Sequence, residues 1–226
     1  MNPLISQYYN SVPTVINYIF LIPIALFALS IHEYAHGYTA YKLGDPTAKL
    51  CGRLTVNPLA HMDIIGTACM ILFHVGWAKP VPVDARYFRR PKRDMALTAS
   101  AGPIVNILVS FICVPLFLLI IRVTSALDLT PFFAKFLAFL LYFIFLMHLL
   151  NLGLGIFNLI PVPPLDGSRI VLSLLPAKIY FAVMRYERII ALIMIILLWF
   201  TPLSRLISYA IGTVSSLMLS LFSFIL

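Results

Sequence analysis

The chain has 226 residues, 62% of them hydrophobic and only 11% charged, with a mean hydropathy of +1.00. A soluble domain is about half apolar and about a quarter charged, so this much apolar side chain needs lipid to cover it, and the 13% aromatic content excludes a disordered chain. Despite a formal net charge of +8, no nucleic-acid partner is expected, and three cysteines without paired spacing support no disulfide framework.

A helix that crosses a bilayer needs about 20 mostly apolar residues. Residues 3–31, 95–121, 136–165, 189–204 and 206–226 contain no Asp, Glu, Lys or Arg. These runs predict spanning helices near 14–43, 95–122, 132–158 and 187–225, the last broken or kinked around Pro202. The apolar run 64–75 is too short to span comfortably. It reads as a re-entrant or sheet-like segment between the first and second spanning helices. A second short apolar run, 168–175, lies between Asp166 and Pro176. The N-terminal stretch has no basic n-region and runs directly into ionisable residues, so it is not expected to be a signal peptide. The fold class expected is an all-α membrane protein, a polytopic transmembrane helical bundle. It forms one domain over 1–226, with a core at about 14–176 and an accessory C-terminal helical region at about 187–225.

Nine Lys and Arg lie between Lys42 and Arg93 and four between Arg169 and Arg188, leaving Arg122, Lys135 and Arg205 elsewhere. The positive-inside rule puts both connections in the cytoplasm and the N-terminus outside. Cys51, Cys69 and Cys113 then face a reducing compartment or lipid and read as free thiols, Cys51 and Cys69 as core residues. The stretch 79–94, with six basic residues and three prolines, reads as a positive-inside loop. It can also be a strand or hairpin lying on anionic headgroups.

Ionisable residues inside an apolar helix are costly and usually functional. Near the end of the first predicted helix stands His32-Glu33-Tyr34-Ala35-His36. Positions four apart share a helix face, so the two imidazoles can hold one tetrahedral zinc, with Glu33 placed to take a proton from water. Lys42, the first surface charge, follows His32 by ten residues, roughly 15 Å along the axis. The pair therefore lies below the membrane surface. Glu33 is the only acidic residue before Gly44, and burying it with two unpartnered histidines would cost several kcal/mol, about 2–7 for each such polar group.

A catalytic zinc usually takes three protein ligands and keeps one position open. Candidates for the third are Asp45, Asp63, Asp84, Asp94, Asp128, Asp166, Glu187, His61, His74 and His148. Asp166 stands out because it ends the proline-interrupted run Asn158-Leu159-Ile160-Pro161-Val162-Pro163-Pro164-Leu165-Asp166-Gly167. Irregular backbone at depth is tolerated only against protein or a water-filled cavity. Asp166 also reads as the N-cap of a short helix beginning near Gly167. His61 with Asp63, and His148 with Asn151, read as structural polar networks within the bundle.

His32-Glu33-x-x-His36 and Asn158-x-x-Pro161-x-x-x-Leu165-Asp166-Gly167 resemble the motifs of the site-2 protease family of intramembrane zinc metalloproteases. Gly52-Arg53-Leu54-Thr55-x-Asn57-Pro58, Ala60-His61-x-Asp63, Gly76-Trp77-Ala78-Lys79-Pro80-Val81-Pro82-Val83 and Gly102-Pro103-x-x-Asn106 resemble the same family. Asp84 departs from the Asn that often follows the Pro-Val-Pro-Val run. The match looks closest to small prokaryotic members without a PDZ or nucleotide-sensing domain. The resemblance implies that His32, His36 and Asp166 ligate one zinc per chain and that Glu33 is the general base or acid. It also implies that Asn106 and Asn158 bind the substrate backbone or the developing oxyanion.

The expected activity is zinc-dependent endopeptidase cleavage within or near a transmembrane segment of a membrane-protein substrate. The expected setting is the lipid bilayer of a prokaryotic cell membrane, with the active site toward the cytoplasmic side. A catalytically inactive membrane-segment binder and a metal transporter are the alternatives; a transporter would distribute its ligands along a path. Oligomeric state is not legible.

Overall fold

Charge-free runs become helices because a chain in lipid must satisfy its backbone hydrogen bonds internally. The computed structural model describes residues 14–63, 66, 69, 78–125, 127 and 130–226. The chain forms α1 (Thr14–Lys42), two single turns α2 (Thr47–Leu50) and α3 (Pro58–His61), and a 3-10 turn at Ala85–Tyr87. Then follow α4 (Pro91–Ser125), α5 (Pro131–Asn158), α6 (Asp166–Ser173), α7 (Ala177–Arg185), α8 (Glu187–Phe200), α9 (Leu203–Leu221) and a last 3-10 turn at Ser223–Ile225. No strand occurs among the described residues. The protein is all-helical, and α1, α4 and α5 are each long and apolar enough to cross a membrane.

The helix boundaries have local causes. α4 begins at Pro91, four residues before the charge-free run. Proline suits the first helical position, and Asp94 Oδ2 reaches back to accept the Arg90 N–H at 2.9 Å. Between α8 and α9 the chain bends by 80°. Thr201, which precedes Pro202, is extended at φ −125° and ψ 167°, as the residue before proline prefers. The bend falls at Pro202, where the sequence predicts a break.

α4 packs against α1, α5, α6 and α9. Cys113, Val114, Phe117 and Leu118 of α4 form a core with Ile144 and Phe145 of α5, against which Met218, Leu219 and Phe222 pack. Ile24 of α1 packs with Tyr142 and Leu146 of α5. Beside these apolar clusters runs a buried polar stripe. Ser110 Oγ lies 2.8 Å from His148 Nδ1, and His148 Nε2 lies 2.8 Å from Ser215 Oγ, so one imidazole joins α4, α5 and α9.

Some expectations change. The stretch 79–94 makes no strand among the described residues; residues 78–84 are irregular and lead into the 3-10 turn. Cys51 is exposed, not core, because it caps the short α2 on the surface; Cys69 is half-buried and Cys113 buried, and all three are free. The re-entrant or sheet-like segment expected at 64–75 lies outside the described residues except at Gly66 and Cys69, as do His74 and Asp128.

The stripe yields a stability prediction. His148→Ala leaves the Ser110 and Ser215 hydroxyls without their shared partner in a low-dielectric interior. Unfolding in detergent should show a loss of about 1–2 kcal/mol. Unchanged stability would mean that His148 does not fasten α9 to the bundle.

Candidate metal centre

The separation of four residues on α1 brings His32 and His36 onto one face, with ring centroids 4.5 Å apart. Both are buried, at 4% and 9% exposure. Asp166 arrives from the opposite end of the sequence. Leu165 is extended (φ −70°, ψ 153°), so the helix starts at Asp166 itself. No side chain caps α6; the Asp166 carboxylate instead points at the histidines. Its Oδ2 lies 3.0 Å from His32 Nε2 and 3.2 Å from His36 Nε2. Among the described residues these three form the one group whose ligand atoms converge, all within 4.8 Å of one another.

Hydrogen bonds on the far side of each ring decide what those Nε2 atoms carry. His36 Nδ1 lies 2.7 Å from Thr98 O, a carbonyl that can only accept, so Nδ1 bears the hydrogen. For His32 the assignment passes through two amides. Asn151 Nδ2 donates to Met147 O at 2.9 Å, which turns Asn151 Oδ1 toward Asn106. Asn106 Nδ2 donates to that oxygen at 2.8 Å and to Ala28 O at 3.1 Å. Asn106 Oδ1 must then be the atom 2.6 Å from His32 Nδ1, making Nδ1 the donor again. In the neutral tautomers both Nε2 lone pairs face the Asp166 carboxylate.

Lone pairs so close repel unless protons or a cation lie among them. The donor set suits a cation such as zinc, which binds imidazole nitrogen and carboxylate oxygen at about 2.0–2.2 Å in tetrahedral geometry. The edges of such a tetrahedron measure about 3.3–3.6 Å, close to the two separations to Asp166. The far-side bonds to Asn106 and Thr98 are of the kind that orients metal-bound histidines.

Two glycines let the elements come this close. A Cβ on Gly102 of α4 would lie 2.5 Å from His36 Nε2 and 2.6 Å from His32 Cε1, so the rings lie directly on the α4 backbone. A Cβ on Gly167 would lie 2.2 Å from Leu159 O. The start of α6 is thereby pressed against the end of α5, which aims Asp166 at α1.

Glu33, half-buried beside His32, accepts the Val81 N–H at 2.8 Å through Oε2. Asn106 is wholly buried and its amide is engaged by His32, Asn151 and Ala28, leaving no amide hydrogen for a substrate. Asn158 donates to Leu154 O at 3.0 Å and makes no hydrogen bond to the cluster among the described residues. Asp63 lies apart, accepting the Gly66 N–H at 2.8 Å. His61 lies 2.7 Å from Thr55 O. Asp84 is bound by Arg86, whose hydrogen bonds hold its carboxyl below the usual carboxylate range. Sequence reasoning placed Asn151 in a structural network with His148; its hold on Asn106 becomes visible only when α4 and α5 are paired.

Two buried histidines on a helix long and apolar enough to cross a membrane, with a half-buried aspartate converging on them from α6, are the donor set of a membrane metallopeptidase of the site-2 type. The chain belongs to Peptidase family M50, whose model matches residues 19–201. It is 38% identical over 184 residues to "Putative zinc metalloprotease YwhC" of Bacillus subtilis, covering 81% of each chain. It is 28% identical over 157 residues to "Putative zinc metalloprotease Rip2" of Mycolicibacterium smegmatis, covering 66% of this chain and 55% of the relative. A Mycobacterium tuberculosis Rip2 matches at 27% over the same length and the same shares. No solved structure matches.

The relay makes a prediction. Asn106→Ala removes the acceptor that holds His32 Nδ1–H, so zinc affinity in a chelator competition should fall about 10–100-fold. Asn158→Ala should leave it nearly intact. An Asn106→Ala protein with wild-type affinity would show that the relay does not set the His32 tautomer.

Proposed function

We propose that the chain is a zinc-dependent intramembrane endopeptidase that hydrolyses a peptide bond within or near a transmembrane segment of a membrane-protein substrate. The observation that carries this reading is the convergence of His32 Nε2, His36 Nε2 and Asp166 Oδ2 inside the bundle, with the Glu33 carboxylate next to His32 in the chain. His32, His36 and Asp166 are the proposed ligands of one zinc. When bound, zinc would polarise the scissile carbonyl and acidify the attacking water.

The remaining chemistry belongs to this chain's side chains. Glu33 removes a proton from the water as its oxygen adds to the carbonyl carbon, then returns that proton to the nitrogen as the C–N bond breaks. Asn106 serves through His32, keeping Nε2 free for the ligand role. Asn158, half-buried at the end of α5, is the amide proposed to meet the substrate backbone. The substrate segment must be locally unwound, because a helix engages its own carbonyls in its hydrogen-bond ladder.

Glu33→Gln tests the chemistry. It keeps the side chain's shape and leaves the three ligands in place. Zinc content should stay near wild type while cleavage of a model transmembrane substrate falls by about 10²–10⁴-fold. Asp166→Ala should lower zinc content, whereas Asp63→Ala should not. Near-normal cleavage by zinc-loaded Glu33→Gln protein would remove Glu33 from the mechanism, whereas no cleavage by the zinc-loaded wild type would favour an inactive binder or a transporter.

The distribution of Lys and Arg supports an orientation with the basic connections and the site toward the cytoplasm. Lys92→Cys, in a background without Cys51, Cys69 and Cys113, should be labelled by an impermeant thiol reagent only from the cytoplasmic side. Labelling from outside alone would invert the topology.

A further inference from the structure

Pro80-Val81-Pro82 contains a single backbone N–H, because proline has none. That N–H, on Val81, donates to Glu33 Oε2 at 2.8 Å. The segment around it is fastened independently on both sides. Upstream, the Lys79 N–H donates to His61 O at 2.8 Å, and the Arg53 guanidinium donates to Lys79 O and Pro80 O. Downstream, the Asp84 N–H donates to Asp45 Oδ2 at 2.7 Å. Asp45 is itself fully buried and held by the Thr47 N–H and hydroxyl. The Val81 side chain is buried against α1, where a Cβ on Gly37 would come within 3.1 Å of Val81 Cγ1.

The bond to Glu33 is therefore not needed to hold the strap in place. The strap, already held, presents one rigid donor to one carboxylate oxygen. Prolines on either side limit the backbone motion of that donor. A glutamate side chain left to itself would wander among rotamers beside the metal centre. Pinned through Oε2, it keeps Oε1 as the oxygen able to face water.

We propose that the Val81 main-chain N–H is a positioning group for catalysis, fixing the Glu33 carboxylate in the orientation from which Oε1 takes the proton. The proposal rests on the reading of Glu33 as the general base. It assigns the 79–84 strap a role in the chemical step that is separate from metal binding.

The test replaces the Val81 amide by an ester in the full chain, using the α-hydroxy analogue of valine, so that the N–H is lost and the side chain and both prolines remain. An ester at Val83, whose N–H is not the one bonded to Glu33, serves as the control. Zinc content, thermal unfolding, kcat and KM are measured on a model transmembrane substrate. The Val81 ester should lose about 10–100-fold in kcat, the scale of a misplaced catalytic group, with KM and zinc content unchanged. The Val83 ester should stay within about twofold. In a Glu33→Gln background the Val81 ester should add less than about a twofold loss, since coupled residues are non-additive.

A wild-type kcat for the Val81 ester overturns the proposal, and so does an equal loss in the Glu33→Gln background. A raised kcat would make the strap a restraint rather than a support. A change confined to KM would give the N–H to the substrate. Failure of the base reading is separately visible, as wild-type cleavage by Glu33→Gln alone.

Discussion

A neutral imidazole has one nitrogen that donates and one that accepts, and a buried pair can face a shared point with lone pairs only if both other nitrogens are held by acceptors. Much of the architecture meets that demand. His36 meets it with the Thr98 carbonyl on α4. His32 meets it through Asn106, whose own orientation is set by Ala28 O on α1 and by Asn151 on α5. The chain of amides ends on Met147 O, an acceptor that cannot be reversed. Three spanning helices thus have to be in register before the two rings present the same kind of atom to Asp166.

Lipid makes that register both necessary and hard to obtain. Helices in a bilayer have little hydrophobic drive to associate, so close packing of small residues and interhelical hydrogen bonds do the work. Gly155 brings α5 against α4 so closely that a Cβ there would lie 2.8 Å from Ile107 Cγ1. Asn106 pairs with Asn151, and Ser110, one turn on, lies against His148. Each such bond is worth only about 0.6–1.7 kcal/mol, so the stripe adds little to overall stability. Its larger effect is on alignment. A slide of one turn, about 5.4 Å, would break both pairs together and leave their polar groups unpaired in the interior.

The sequence made the helices legible because charge-free runs in lipid leave the backbone little choice. The predicted spans 14–43 and 132–158 lie within a residue of the observed ends, and α4 begins earlier only because Pro91 and Asp94 start it in the charged loop. The pairing of His32 and His36 was equally open, since i and i+4 share a face whatever the tertiary fold. What helix periodicity could not reveal depends on contacts across the chain. Asp166 had two local readings, and the packing of Gly167 on Leu159 is what turns the carboxylate away from a capping role. The far-side partners of the histidines are a backbone carbonyl and an amide on another helix. Cys51 looked like core by composition, yet the turn that carries it lies on the surface.

The residues around the cluster divide into two supports of different kinds. His32, His36 and Asp166 are held by helix packing inside the bundle, through Gly102, Gly167 and the asparagine relay. Glu33 lies on the same helix, but its carboxylate is held from outside the bundle, by a strap whose anchors are Arg53, His61, Asp45 and the prolines. Helix α1 is the one element common to both. A disturbance of the helix interfaces would reach the ligand set first, and a disturbance of the strap would reach the carboxylate first. The two supports meet on α1, because Gly37 lies one residue beyond His36 and is where the strap's Val81 meets the helix. The close contact at Gly37 therefore couples the strap to the stretch of α1 that carries both histidines.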